Sequence, residues 1–375
     1  MGEGDHPTEE IQRDKKKAET FARKNLPLVK NPVAHFNLAQ QDHWQPTEES
    51  GLPPLPSYDT EGVVEALKNP EKISDPETGQ QFRVVKLNWQ ERESLSVDQV
   101  DNPQQRPLMY IPEYGWSAAH EGPIQLRLEE LVRQTGRPVF SIDHPGWGSD
   151  NLTEEQKKAL KTDEGYGPIA EAQLRVMKEM GIKDVDLVGI SMGAWSAASL
   201  AEKAEQEGIK VHNLVVMESP GVEEMSATKL MSGEISEAKR LELYHSMPYD
   251  VRLRELSGHF KSAFRRNIDL VKWGLGGMKA GGSKYIQAMG RETLGNHLGK
   301  AIESNPDLHV QVMNGTDSKV SPSGANASLV NALQERFPER IHQSVFPGDS
   351  HSFGENPQRF ASVVRLALEP SSQEK

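Results

Sequence analysis

Apolar positions along this chain change their period several times. Phe82-Arg-Val-Val-Lys-Leu-Asn-Trp89 alternates in part, as a strand with one buried face does. Short apolar runs follow at Leu108 to Ile111, Pro138 to Asp143, Val185 to Gly189, Val211 to Met217, Leu308 to Met313 and Ile341 to Phe346. Each predicts a buried strand. Between them the spacing shifts to three and four. Helices are predicted around Ile124 to Val132 and from Gly167-Pro168 onward, with Ile169, Ala172, Val176 and Met180 on one face. Pro168 suits a first helical position, where its missing N–H costs nothing. A helix of small residues is predicted from Met192 to Glu205. A closing one starts at Pro357, capped by Asn356, with Phe360, Val363, Val364 and Ala367 inside. Strands alternating with helices predict an α/β fold whose mostly parallel sheet is covered on both faces.

Two intervals break the alternation. Residues 222–305 carry no convincing strand. Leu253, Leu256, Phe260, Phe264, Ile268 and Val271 recur at helical spacing there, and the glycine-rich stretch Gly274 to Gly282 follows. A helical insertion between two sheet strands reads as a cap or lid. Residues 1–80 are charged and then proline-rich, as in Leu52-Pro53-Pro54-Leu55-Pro56, which predicts a polar arm. The chain divides into this arm, a first part of the core at 81–221, the helical cap at 222–305 and a second part of the core at 306–375.

Composition narrows the chemistry. Forty-three basic against 55 acidic residues give a formal charge of −12, which disfavours nucleic-acid partners. Cysteine is absent, so disulfides, thiol nucleophiles and zinc–thiolate sites are excluded. No apolar run reaches the ~18–20 residues of a membrane span. The N-terminus lacks an apolar signal region and is too acidic for a transit peptide, so a cytoplasmic place is expected.

The most informative segment is Gly189-Ile190-Ser191-Met192-Gly193, a G-x-S-x-G motif after a predicted strand and before a predicted helix. A turn this tight puts the serine in a strained backbone conformation and leaves no room for side chains two residues to either side. Ser191 is therefore the expected nucleophile. A serine needs a base. His351 lies between the last strand and the last helix, at the same carboxyl edge of the sheet as Ser191.

With these residues the chain resembles the α/β-hydrolase fold family from about residue 82 to 369. Asp143-His-Pro145-Gly146-Trp-Gly148-Ser149 is similar to the family's D-x-P-G-x-G-x-S loop, and Gly189 to Gly193 to its nucleophile elbow. Asn314-Gly315-Thr316-Asp317 resembles the acid loop, and Gly348-Asp-Ser-His351, with Glu355-Asn-Pro357 and Phe360, the histidine loop. The resemblance implies a Ser-His-acid triad with Asp317 as acid. A gap-free reading of the loop from Gly315 to Pro322 instead puts Ser318 at the acid position. Glu218, at the end of the preceding strand, is the alternative acid. The resemblance also implies an oxyanion hole formed by the N–H of Met192 and that of Tyr114 or Trp116. Where the family has His-Gly after the third strand, this chain reads Ile111-Pro112-Glu113-Tyr114-Gly115-Trp116-Ser117, and a carboxylate at Glu113 opposes an oxyanion unless it points away.

The implied activity is that of a metal-free serine hydrolase without cofactor, acting on a carboxylic ester or related small acyl compound. Trp116, Trp147, Trp195, Phe260 and Phe264 are candidate substrate contacts. An acyltransferase or thioesterase using the same triad, and a non-catalytic binding protein on this fold, are the alternatives. The glycine run near Gly276 to Ser283 has Gly282 where a phosphate loop needs lysine, and His120-Glu121 lacks the second histidine of a zinc helix. Neither carries a function.

Overall fold

The computed structural model describes residues 66, 69–89, 106–114, 122–238, 282–291, 293–347, 349, 351 and 357–368. Eight strands form one sheet: β1 (Glu71–Ser74), β2 (Gln81–Leu87), β3 (Leu108–Ile111), β4 (Val139–Ile142), β5 (Asp184–Ile190), β6 (Lys210–Met217), β7 (His309–Gly315) and β8 (Ile341–Phe346), in spatial order β1-β2-β4-β3-β5-β6-β7-β8. β2 pairs antiparallel with β1 and β4, and from β4 through β8 every pairing is parallel. The expected mostly parallel α/β architecture is present. β1 lies inside the segment read as an arm. Its sequence, Glu-Lys-Ile-Ser, is largely exposed, so it carries no apolar alternation to announce it.

Helices cover both faces. They are α1 (Gly122–Thr135), α2 (Glu154–Ala159), α3 (Gly167–Glu179), α4 (Met192–Ala204), α5 (Ala227–Ala238), α6 (Gly282–Met289), α7 (Leu294–Ser304), α8 (Ser323–Arg336) and α9 (Pro357–Leu368). Side chains alternate across a strand, and β3 shows the consequence. Met109 and Ile111 join the core shared with α3 and α4, while Leu108 and Tyr110 join a second core with Ile124, Leu128 and Leu131 of α1 and Phe360, Val363 and Val364 of α9. The small residues of α4, among them Ala194, Ala197, Ala198 and Ala201, are wholly buried. They let the helix lie close to the sheet. A capping box starts α2, where Thr153 Oγ1 accepts from Gln156 N and Gln156 Oε1 accepts from Thr153 N.

α5, α6 and α7 fall within the interval read as a cap. α7 is a core helix: Leu298, Ala301 and Ile302 are buried in the α3/α4 core. His297 Nδ1 meets Glu202 of α4 at 2.5 Å. The helix expected at 253–271 lies outside the described residues, as do most of the arm and Asn356.

Candidate active site

Ser191 sits between β5 and α4 with φ +56° and ψ −128°. A non-glycine residue rarely adopts this region. Its N–H donates to Met217 O at 2.9 Å, which fixes the turn to the end of β6. The flanking glycines answer to close packing. A Cβ on Gly189 would run into the carbonyl of Gly193, and one on Gly193 into the carbonyls of Ile111 and Pro112. The elbow therefore folds only if both side chains are absent.

His351 Nε2 lies 3.0 Å from Ser191 Oγ, although 160 positions separate them. Both residues are buried, as is Glu218. Glu218 follows β6, and its backbone is also left-handed, at φ +52°. Two of the four non-glycine residues with positive φ among the described residues are thus Ser191 and Glu218. Its Oε2 lies 3.5 Å from His351 Nδ1. Its Oε1 accepts from Gly315 N, and the Ser318 hydroxyl also bonds the carboxylate. Burial raises the Glu218 carboxyl above its usual range, and the His351, Ser318 and Gly315 contacts offset part of that rise.

Of the two candidate acids, Glu218 sets its carboxylate against the imidazole, 3.5 Å from His351 Nδ1. Thr316 Oγ1 donates to Asp317 Oδ1 at 3.0 Å, and Asp317 N donates to Asp349 O of the histidine loop at 2.8 Å. A Cβ on Gly315 would collide with Asp349, so glycine there lets the acid loop and the histidine loop touch. Ser318, at the gap-free acid position, hydrogen-bonds the Glu218 carboxylate at the end of the neighbouring strand. That sequence position was the one available signal for its role.

The loop after β3 passes over the start of α4. Pro112 O accepts from His144 Nε2 at 2.9 Å, and Nδ1 lies 2.5 Å from the Tyr166 hydroxyl, which donates to Gln173 Oε1 at 3.0 Å. Burial lowers the His144 pKa to about 4, with the Pro112 contact opposing the fall. Glu113 is ion-paired with Arg127 and accepts from the Tyr110 hydroxyl at 2.6 Å. The anchoring roles of His144, Arg127 and Tyr110 have no sequence signature.

The expected substrate contacts separate. Trp147 is buried beside Tyr114, with ring centroids 4.9 Å apart. Trp195 is wholly buried and donates Nε1–H to Thr293 Oγ1 at 3.0 Å. It joins α4 to the start of α7 within the core. Trp116, Phe260 and Phe264 lie outside the described residues. A small apolar cavity opens instead among Tyr114, Pro220, Leu230, Met231, Ile286 and Met289. Met231 and Ile286 also line an open groove of about 440 Å³ between α5 and α6. The described residues contain no group of three or more metal-ligating side chains, and no helix among them is long and apolar enough to cross a membrane.

A model of the alpha/beta hydrolase family matches residues 113–363, more than half of the chain. The protein belongs to the alpha/beta hydrolase family. Among solved structures, it is similar to a bromoperoxidase from Bacillus anthracis at 13% identity and a TM-score of 0.51, covering 80% of this chain and 100% of that one. A proline iminopeptidase from Mycobacterium smegmatis is similar at 14% identity and a TM-score of 0.47, covering 80% and 97%. A putative aryl esterase from Burkholderia cenocepacia is similar at 13% and 0.47, covering 80% and 99%. The search of curated proteins found no match.

Proposed function

We propose that the protein is a serine hydrolase that cleaves a carboxylic ester through an acyl-enzyme. The observation that carries this reading is the 3.0 Å approach of His351 Nε2 to the strained Ser191. In this mechanism Ser191 Oγ attacks the acyl carbon while His351 takes its proton. Glu218 holds the imidazole by Nδ1 and stabilises the imidazolium. The N–H groups of Met192, first in α4, and Tyr114 donate to the tetrahedral oxyanion. His351 then protonates the leaving alcohol, and water, activated by the same imidazole, releases the acid. The apolar lining from Tyr114 to Met289 and the groove beyond it suit an uncharged, hydrophobic substituent.

A fluorophosphonate probe tests the reading. Covalent labelling at Ser191, lost in Ser191→Ala, is the expected result, and a panel of esters, thioesters, lactones and amides then ranks the acyl chemistry. An unlabelled, folded protein would end it.

A further inference from the structure

Glu113 stands in a loop assigned to stabilise negative charge, so its own charge must be neutralised or directed elsewhere. Two buried side chains close a ring with it. Arg127 Nη1 donates to the Tyr110 hydroxyl at 3.0 Å, that hydroxyl donates to Glu113 Oε2 at 2.6 Å, and Arg127 Nη1 also pairs with Glu113 Oε1. The Arg127 and Glu113 side chains are only 5% and 14% exposed, so water screens the pair weakly. Phe360 of α9 completes the enclosure. The Arg127 guanidinium lies 5.8 Å from its ring centroid, and the Tyr110 ring meets it edge-on at 5.5 Å.

The side of the sheet matters. Tyr110 and α1 belong to the core shared with α9, whereas Met192 and α4 belong to the opposite core. The carboxylate is therefore drawn toward the α1/α9 face, away from the helix that starts at Met192. The same short loop is held at Pro112 by His144, and its Tyr114 ring packs on Trp147.

We infer that Arg127 and Glu113 are positioning residues for the oxyanion hole: their buried ion pair fixes the backbone of Pro112 to Tyr114, and the guanidinium cancels a charge that would otherwise act against the oxyanion. This rests on the hydrolase reading. Neither residue touches the substrate. Loss of Arg127 leaves a buried carboxylate without its cation beside the forming oxyanion. Loss of the Glu113 charge alone removes the tether but adds no opposing charge. The two variants should therefore differ in severity, and the second change should partly repair the first.

The test compares R127M, E113Q and the double variant E113Q/R127M, using the ester that the unmodified protein turns over best. Rates are expressed per active site counted by complete fluorophosphonate labelling, so unfolded material does not enter. R127M should lower kcat about 100-fold, the scale of one lost oxyanion donor. E113Q should lower it about tenfold, and the double variant should recover to near the E113Q rate, a non-additive pattern. KM should stay within about twofold throughout. The affinity of a boronic acid, which forms a tetrahedral adduct on the serine, should fall in parallel with kcat. A purely structural role would lower the melting temperature and the number of sites without moving kcat per site. The inference is overturned by kcat per site within about threefold of the unmodified protein in R127M and E113Q, or by a loss confined to KM. If R127M does not fold, the isosteric E113Q decides by the same limits. Absence of labelling in the unmodified protein overturns the hydrolase reading and this inference together, whereas a labelled, active parent with unchanged variants overturns this inference alone.

Discussion

Ser191 and Glu218 share a left-handed backbone at the ends of adjacent strands, and each holds a group that faces His351. Non-glycine residues keep such a conformation only where the surroundings dictate it. Glu218 is dictated by Gly315 N and Ser318 on its carboxylate and by its own N–H to Met313 O at 2.8 Å. Replacing it with the isosteric amide should remove the imidazolium's counter-charge and its tautomer control. Glu218→Gln should lower kcat by about 10³–10⁴, with the melting temperature unchanged or raised, because a buried carboxylate is lost. Asp317→Asn should stay within about threefold, since its Oδ1 accepts from the adjacent Thr316 hydroxyl while the Glu218 carboxylate faces the imidazole. The reverse ranking, measured on purified variants, would return the acid role to Asp317. Ser318 offers a sharper check. Adding Ser318→Asp to Glu218→Gln sets a carboxyl group where the hydroxyl now reaches the Glu218 side chain, so part of the lost rate should return. A double variant no faster than Glu218→Gln would show that residue 318 does not face the imidazole's acid partner.

The elbow depends on what is missing at Gly189 and Gly193. Backbone carbonyls cannot rotate aside as a flexible side chain can, so a methyl at Gly193 has to push the loop after β3 away from α4. Gly193→Ala should cost about 3 kcal/mol in denaturant unfolding, and the displaced loop should also cost activity in whatever folds. Full stability in this variant would mean that the loop and the helix are not in contact. This element was legible because its glycines, its small-residue helix and its preceding strand each have a sequence signature. Seven of the strands were legible for a similar reason, being buried runs bounded by turns. β1 was not, because a short exposed edge strand carries no alternation. Neither was α8, where only Asn326, Val330 and Leu333 are buried and the apolar face is too narrow to set a period. The choice between Glu218 and Asp317 was beyond sequence for a different reason. Both follow sheet strands, and which carboxylate meets a loop fixed by β8 and α9 depends on three-dimensional approach, which no local pattern encodes. The place of Trp195 was beyond sequence too, because an aromatic four residues after a nucleophile has the same spacing whether it faces a pocket or the core.

Across the molecule, buried charge is tied off at places remote from the reacting edge as well as near it. Asp186, near the amino end of β5, is bound by Arg106 at 3.3 Å and by Arg137. Asp75 is bound by Arg175 of α3 at 2.7 Å. Burial acts to raise the Asp75 carboxyl, but the Arg175, Thr78 and Glu77 contacts hold it below its usual value. Its contribution to stability is therefore lost only as pH falls below about 3.8. His144 titrates in a different window. Its folded pKa of about 4 lies below the unfolded value of 6.5, so the native state holds fewer protons between those values. Stability due to this residue is complete above pH 6.5 and declines as the unfolded chain gains the proton that the folded ring refuses. The decline should total roughly 3 kcal/mol by pH 4. Glu218 acts in the opposite sense, since its raised pKa makes the folded state the better proton binder above about 4.5. The two are separated by comparison with His144→Gln. The variant should be the less stable protein at pH 7, having lost the bonds to Pro112 and Tyr166. Its disadvantage should shrink by roughly 3 kcal/mol on going to pH 4, as measured by denaturant unfolding at each pH. A gap of equal size at both pH values would mean that the folded ring takes up its proton as readily as the unfolded one, against the burial described here.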